Sequence, residues 1–362
     1  MKILITGGHL TPALAIIEKL KKEDVYYVGR KYTFEGEKAI SLEYQQITKL
    51  GIPFFELKTG RLQRRITKHT LVSLFKLPAG FLEAAKILKN TKPDVVLAFG
   101  SYVSVPVGIV AKFLSIPLVI HEQTLEAGLS NKILSKFADK ICISWKSSEK
   151  YFPKAKIILT GNPIRKELMD LRKIKSEENL LYISGGSSGS HVINVLVEGV
   201  LEKLLKKFNI IHQTGDSKTY NDFDRLTSIK NNFDKKLSGN YTIAKFLDTK
   251  DAARIMARAS LVVGRSGVNT VTELIFLEKP SFLIPLSFGQ KQEQLKNAIF
   301  LKELGLSEFS LQESLTSQSF YENILLLMNN LDKFRLKEKV LIDNSAQKII
   351  NILQDVCKQK TS

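Results

Sequence analysis

Lys2-Ile3-Leu4-Ile5-Thr6-Gly7-Gly8-His9 and Leu180-Leu181-Tyr182-Ile183-Ser184-Gly185-Gly186-Ser187-Ser188-Gly189-Ser190 are the two stretches that decide the fold. Each closes an apolar strand on a glycine-rich turn and opens a helix. Leu14, Ala15, Ile17 and Leu20 follow the first turn at helical spacing, and Val192, Ile193, Leu196 and Val200 follow the second. A strand–glycine turn–helix unit aims backbone N–H groups and the positive end of a helix dipole at one spot, where an anion fits. Glycine allows the tight turn and lets a phosphate approach the backbone. Two such loops, each opening one half of the chain, predict two nucleotide-binding α/β domains facing across a cleft. That arrangement suits an enzyme joining two phosphate-bearing substrates.

The rest of the chain agrees. Its 362 residues exceed one usual core, and 44% hydrophobic with 25% charged residues describes an ordinary globular protein. Apolar runs alternate with helical patterns, the signature of βαβ units and parallel sheets. Strands are predicted at 2–5, 25–28, 53–56, 95–99, 118–121 and 140–143 in the first half, and at 180–183, 209–213, 241–244, 261–264 and 280–284 in the second. The Gly- and Pro-punctuated segment Thr160-Gly161-Asn162-Pro163-Ile164-Arg165 precedes a charged stretch and marks the linker. Domains are therefore expected at 1–162 and 163–340, with an amphipathic helix in 341–362 packing back on the first.

Cys142 and Cys357, far apart and outside any CxxC pattern, exclude a disulfide scaffold or zinc site and fit a reducing compartment. His69, His191 and His212 form no metal-ligand spacing with carboxylates, so no metal and no cofactor is expected. The chain enters a strand at once, so no signal peptide is expected. The apolar stretch 98–120 is broken by Gly100, Pro106, Gly108 and Pro117 and reads as buried strand, helix and strand, not as a membrane span.

A net charge of +18 is unevenly spread. Between Lys58 and Lys92 stand nine Lys/Arg and one acid, Glu83, interleaved with apolar residues including Leu74 and Phe75. This is the composition of a surface resting on anionic lipid, or else of a core helix with a solvated basic face. No helix-turn-helix, zinc finger or RNA-binding motif accompanies the charge, so no nucleic-acid partner is expected.

Seven separated motifs, in order, carry a family resemblance: TGGHLTPAL (6–14), HEQTLEAGLSN (121–131), LTGNPIR (159–165), ISGGSSGS (183–190), HQTG (212–215), GRSGVNTVTEL (264–274) and QEQLKNA (292–298). Together they resemble the MurG family, the bacterial glycosyltransferases of family 28 that move N-acetylglucosamine from UDP-N-acetylglucosamine to lipid I to give lipid II. The resemblance implies a GT-B fold of two Rossmann-like domains, an inverting and metal-independent transfer in peptidoglycan synthesis, and peripheral attachment to the cytoplasmic face of the membrane.

Site residues carry over by the same resemblance. Thr6, Gly7 and Gly8 match the loop taken to hold the acceptor diphosphate, here shorter than is usual in the family. His9 is the candidate for accepting the acceptor hydroxyl's proton, with capping or bracing of the loop as its alternative. Thr124 stands where the family commonly has an asparagine that meets the donor. Arg165 matches an arginine near the donor diphosphate. Ser187 lies in the loop cradling that diphosphate, and Leu247 matches the residue whose backbone reads the uracil. Val268, Asn269, Thr270, Val271, Thr272 and Glu273 match the donor stretch, Glu273 accepting from the ribose hydroxyls. Gln294 matches a glutamine on the sugar hydroxyls, beside Glu293, where the family often has a second amide. Rival readings are another lipid-directed glycosyltransferase of this fold, a UDP-N-acetylglucosamine 2-epimerase, and a non-catalytic sugar-nucleotide or lipid-binding protein.

Overall fold

The computed structural model describes residues 1–21, 24–32, 40–60, 68–186, 188–286, 292–338, 340, 342 and 344–361, with the backbone alone at 68–76 and 360–361. The chain forms two compact units, Met1–Arg165 with Ile342–Ser362, and Lys166–Leu341.

The first unit is built on seven parallel strands: β1 (Ile3–Thr6), β2 (Val25–Gly29), β3 (Phe54–Glu56), β4 (Val95–Ala98), β5 (Leu118–Glu122), β6 (Lys140–Ile143) and β7 (Ile157–Leu159). They lie in the order β3-β2-β1-β4-β5-β6-β7. The central strands β1 and β4 are apolar at nearly every position because helices cover both faces of the sheet. Side chains alternate between those faces. Ile3, Ile5, Val95, Leu97 and Val119 join one core, while Leu4, Val96, Ala98 and Ile120 join the other. The first of these cores is closed by the C-terminal helix Ser345–Thr361, whose Ile349, Leu353 and Val356 recur on one face and are buried beside the helix Leu10–Ile17. Each such side chain contributes about 1.5–3 kcal/mol on burial.

The second unit repeats the plan. Its strands are β8 (Leu180–Ser184), β9 (Asn209–Gln213), β10 (Tyr241–Ala244), β11 (Leu261–Gly264), β12 (Ser281–Leu283) and β13 (Ser307–Phe309), all parallel, in the order β10-β9-β8-β11-β12-β13. Leu181, Ile183, Leu261 and Val263 pack under Ile193, Leu196 and Val197 of the helix that follows the glycine loop.

Two edge strands, β7 and β13, lie beyond those predicted from periodicity. Each has three residues and is paired with one neighbour. In both sheets the strand order reverses between two adjacent strands, β1 with β4 and β8 with β11. Open α/β sheets bind ligands outside the carboxyl ends of their strands at such a point. The quoted glycine loops stand at these two places. Among the described residues no helix is long and apolar enough to cross a membrane.

Candidate functional site

In the first unit, Thr6 ends β1 fully buried, and its hydroxyl has no hydrogen-bond partner among the described residues. Gly7 follows at φ 137°, and a methyl group there would stand 2.8 Å from the Gly100 carbonyl oxygen. One on Gly8 would stand 2.9 Å from the Ser101 Cβ. The loop after β4 therefore packs directly on the loop after β1. That second loop, Phe99-Gly100-Ser101-Tyr102, escaped the sequence reading. Its signal was present: a strand, a glycine and a helix at Ser104–Phe113. Gly100 (φ 80°) and Ser101 (φ 73°) are both left-handed, a conformation that non-glycine residues adopt only at a cost.

His9 sits at the cap position of the helix Leu10–Ile17, but its side chain makes no capping bond. Capping is therefore not its role. It is half-buried, and loss of solvent holds its imidazole below the ordinary value, only partly opposed by the Glu122 carboxylate. The ring is thus neutral at neutral pH and able to take a proton.

Glu122 is the hub of the HEQ motif. Its Oε1 accepts the Thr124 amide at 3.0 Å and its Oε2 accepts the Gly128 amide at 2.9 Å and the Asn131 side-chain amide at 3.0 Å. Thr124 is buried, with its hydroxyl 2.7 Å from Glu122 Oε1 and also against the Glu126 carbonyl. Its hydroxyl thus serves the loop itself. His121, fully buried, meets the Gly161 carbonyl and the Ser144 hydroxyl through Nε2, and burial pushes it down to about 4. Arg165, the last residue of this unit before the second begins, is 7% exposed.

In the second unit the glycine loop is clasped by the HQTG segment. A methyl group on Gly189 would stand 2.0 Å from the Thr214 carbonyl, and one on Gly215 2.4 Å from the Ser188 carbonyl. Nothing but glycine fits this close backbone approach. Ser187 lies outside the described residues. Ser190 caps the helix His191–Glu198, accepting from the Ile193 amide. Beside it, β11 ends at Gly264 and the helix Val268–Leu277 begins after Gly267.

Arg265, not among the site residues predicted, ties these pieces together. It donates to Ser190 Oγ at 2.7 Å, the Gln312 amide oxygen at 3.0 Å and the Ile284 carbonyl at 2.8 Å. Burial lowers its guanidinium to about 10, which leaves it cationic. A fixed cation beside two helix N-termini is an arrangement chemically suited to an anion.

Of the donor stretch, Asn269 is exposed and Val268, Thr270 and Glu273 are half-buried, while Val271 and Thr272 are buried, with the Thr272 hydroxyl on the Val268 carbonyl. Burial raises the phenol of Tyr182, in the middle of β8, and Glu273 lies close enough to add to that. Leu247 is half-buried between β10 and the helix Thr249–Arg258, which Asp248 caps by accepting from Lys250 and Asp251. Gln294 has its amide oxygen on the Leu286 N–H at 3.1 Å and its carbonyl on the Ser266 hydroxyl at 2.7 Å, so it is docked against the Arg265-Ser266-Gly267 turn. Among the described residues no group of His, Cys, Asp and Glu is arranged to hold a metal ion.

The model described as the glycosyltransferase family 28 N-terminal domain matches residues 6–143, and that of the family 28 C-terminal domain matches residues 180–353. A relative from Clostridium perfringens, named as UDP-N-acetylglucosamine–N-acetylmuramyl-(pentapeptide) pyrophosphoryl-undecaprenol N-acetylglucosamine transferase, is 35% identical over 371 residues, covering 98% of each chain. The crystal structure of MurG from Acinetobacter baumannii superposes with a TM-score of 0.74 at 24% identity, over 98% of this chain and 100% of that one. A UDP-GlcNAc 2-epimerase from Neisseria meningitidis, solved with UDP-GlcNAc, shares the fold at 16% identity and a TM-score of 0.67 over 98% and 100%. The GT-B type of fold expected from the sequence is the one found, and the chain belongs to glycosyltransferase family 28.

Proposed function

We propose that this enzyme transfers N-acetylglucosamine from UDP-N-acetylglucosamine to lipid I, forming lipid II for peptidoglycan synthesis. The observation that carries this reading is the match of both halves to family 28 domains and of nearly the whole chain to a relative named for that transfer, combined with the Arg265 cation set against Ser190 and the turn before the helix Val268–Leu277 in the second unit. The second unit takes the donor. Helix N-termini at Ser190 and Gly267, with Arg265 behind them, would hold the diphosphate, assisted by Ser187. Leu247 would read the uracil through its backbone, Glu273 would accept from the ribose hydroxyls, and Gln294 would meet the sugar.

The first unit takes the acceptor, with Thr6, Gly7 and Gly8 against its diphosphate. The acceptor hydroxyl attacks the anomeric carbon, the bond from that carbon to the UDP oxygen breaks, and the configuration inverts. His9 takes the hydroxyl proton, and UDP leaves with its charge held by backbone dipoles and a guanidinium in place of a metal. Turnover of labelled UDP-N-acetylglucosamine with a short-chain lipid I analogue, in excess EDTA, tests the proposal. Formation of the disaccharide product supports it. Production of a C2-epimerised sugar nucleotide without acceptor would identify an epimerase instead.

The first unit would also dock on an anionic membrane at the cytoplasmic face. The helices Lys68–Thr91 and Ser104–Phe113 pack on each other and leave Leu82 (73%) and Phe113 (81%) unusually exposed. Lys86 and Lys89 share the helix face of Leu82, and Lys112 adjoins Phe113. Arg64 and Arg65, the centre of the basic run, lie outside the described residues, as do the side chains of Leu74 and Phe75. Vesicle binding that falls steeply with salt, and that weakens in Leu82→Glu plus Phe113→Glu while donor binding in solution persists, is the expected result.

A further inference from the structure

Glu43 is a buried carboxyl that the transfer chemistry does not use. It stands in the helix Leu42–Lys49, 8% exposed, beneath the carboxyl end of β2. There it meets the Tyr27 hydroxyl and the Arg30 backbone, with the Arg30 guanidinium as the charged group acting on it. Its Oε1 is buried with no hydrogen-bond partner among the described residues. It packs so closely on the bare Cα of Gly29 that a methyl group there would stand 2.0 Å away. Tyr27 is fully buried in turn, and its hydroxyl reaches the Gly7 carbonyl at 3.1 Å. A carboxyl, a phenol and the backbone of the first glycine loop thus form one chain across the sheet edge.

Counting protons makes the chain directional. A phenol has one proton, and both its neighbours can accept it. If Glu43 is a carboxylic acid, it donates to the Tyr27 oxygen, and Tyr27 donates to Gly7, so the phenol and the Gly7 carbonyl are both satisfied. If Glu43 is ionised, Tyr27 turns its proton to the carboxylate and the Gly7 carbonyl is left without a donor. We propose that Glu43 is a positioning residue whose protonated form locks the Thr6–His9 loop through Tyr27, and whose ionisation releases it. Burial pushes this carboxyl up to about 7 against the pull of Arg30, so both forms are accessible near neutrality. The consequence for acceptor use rests on the loop's assignment to the acceptor, and the lock itself does not.

Two measurements separate those layers. Gly-Gly pairs occur in this chain only at Gly7-Gly8 and Gly185-Gly186. Protein labelled with glycine carrying 13C at the carbonyl and 15N at the amide therefore gives two selectable amide signals, the second an internal control for folding. The Gly8 amide is expected to titrate near neutrality in the wild type and to lose that step in Glu43→Gln, whose amide donates to Tyr27 at every pH. Tyr27→Phe should also lose it. A Gly8 signal flat from about pH 5.5 to 8.5 in the wild type overturns the lock. So does a step that survives unchanged in Glu43→Gln, because the adjacent His9 would then be its source. In turnover, acceptor kcat/KM should fall about three- to tenfold across that range in the wild type relative to Glu43→Gln, with the donor KM unmoved. A normal Gly8 titration without that effect would remove the acceptor assignment and leave the lock in place.

Discussion

Glu122 and Thr124 are joined twice: Oε1 of the carboxylate accepts the Thr124 amide at 3.0 Å and lies 2.7 Å from its hydroxyl. With Gly128 and Asn131 on Oε2, the carboxylate is saturated by loop donors. A carboxylate so occupied organises the 124–131 loop and is a poor candidate for taking a proton from substrate.

It follows that Glu122→Gln should destabilise the first unit by about 2–4 kcal/mol, since an amide nitrogen would face donors where an oxygen accepted them. The sole tryptophan, Trp145, reports locally, because its indole N–H bonds the Gln123 carbonyl at 2.9 Å. Its fluorescence midpoint in urea should fall. Wild-type stability with abolished turnover would instead make Glu122 a chemical participant.

Donor binding should depend on Glu273. Removing the charged acceptor in Glu273→Ala should weaken UDP-N-acetylglucosamine by about 1–3 kcal/mol in calorimetry with the fold intact. An unchanged affinity would take Glu273 out of the ribose contact.

His9 should matter to turnover more than to donor affinity. Its ring is kept neutral by burial and carries no capping bond, so His9→Ala should lower kcat by about 10²-fold or more at saturating substrates. Full turnover in the variant would leave His9 a brace for the loop.

The sheet architecture was legible because β1, β4, β8 and β11 are apolar at nearly every position, which only strands covered on both faces can be. β7 and β13 were not, although β3, an edge strand of the same length, was. In the site, glycine loops were legible as local patterns. Arg265 and Glu43 were not, because what defines each is a partner distant in the chain: Ser190 and Gln312 for Arg265, and Tyr27 for Glu43. Glu122 stood inside a quoted motif, but nothing in the residue types says that its carboxylate turns back on its own loop. The Phe99–Tyr102 turn was legible as a glycine between strand and helix, but the left-handed Ser101 within it gives no sign in the residue type.

Two buried groups of the first unit should set opposing pH slopes on its stability. His121 titrates at about 4 in the folded chain against an ordinary 6.5. As pH falls below 6.5 the unfolded chain takes up a proton that the folded one refuses until about 4, so about 3 kcal/mol is lost across that window, and His9 acts in the same sense. Glu43 titrates at about 7 in the folded chain against an ordinary 4.5. As pH falls from 7 to 4.5 the folded state takes up the proton first, which adds about 3 kcal/mol in the opposite direction. The wild-type midpoint, read by Trp145, should therefore change little between pH 7 and 4.5. Glu43→Gln should uncover a steep loss on acidification, and His121→Asn should shift the slope toward a gain. Parallel slopes in all three proteins would mean that neither group is held in the protonation state that its burial dictates.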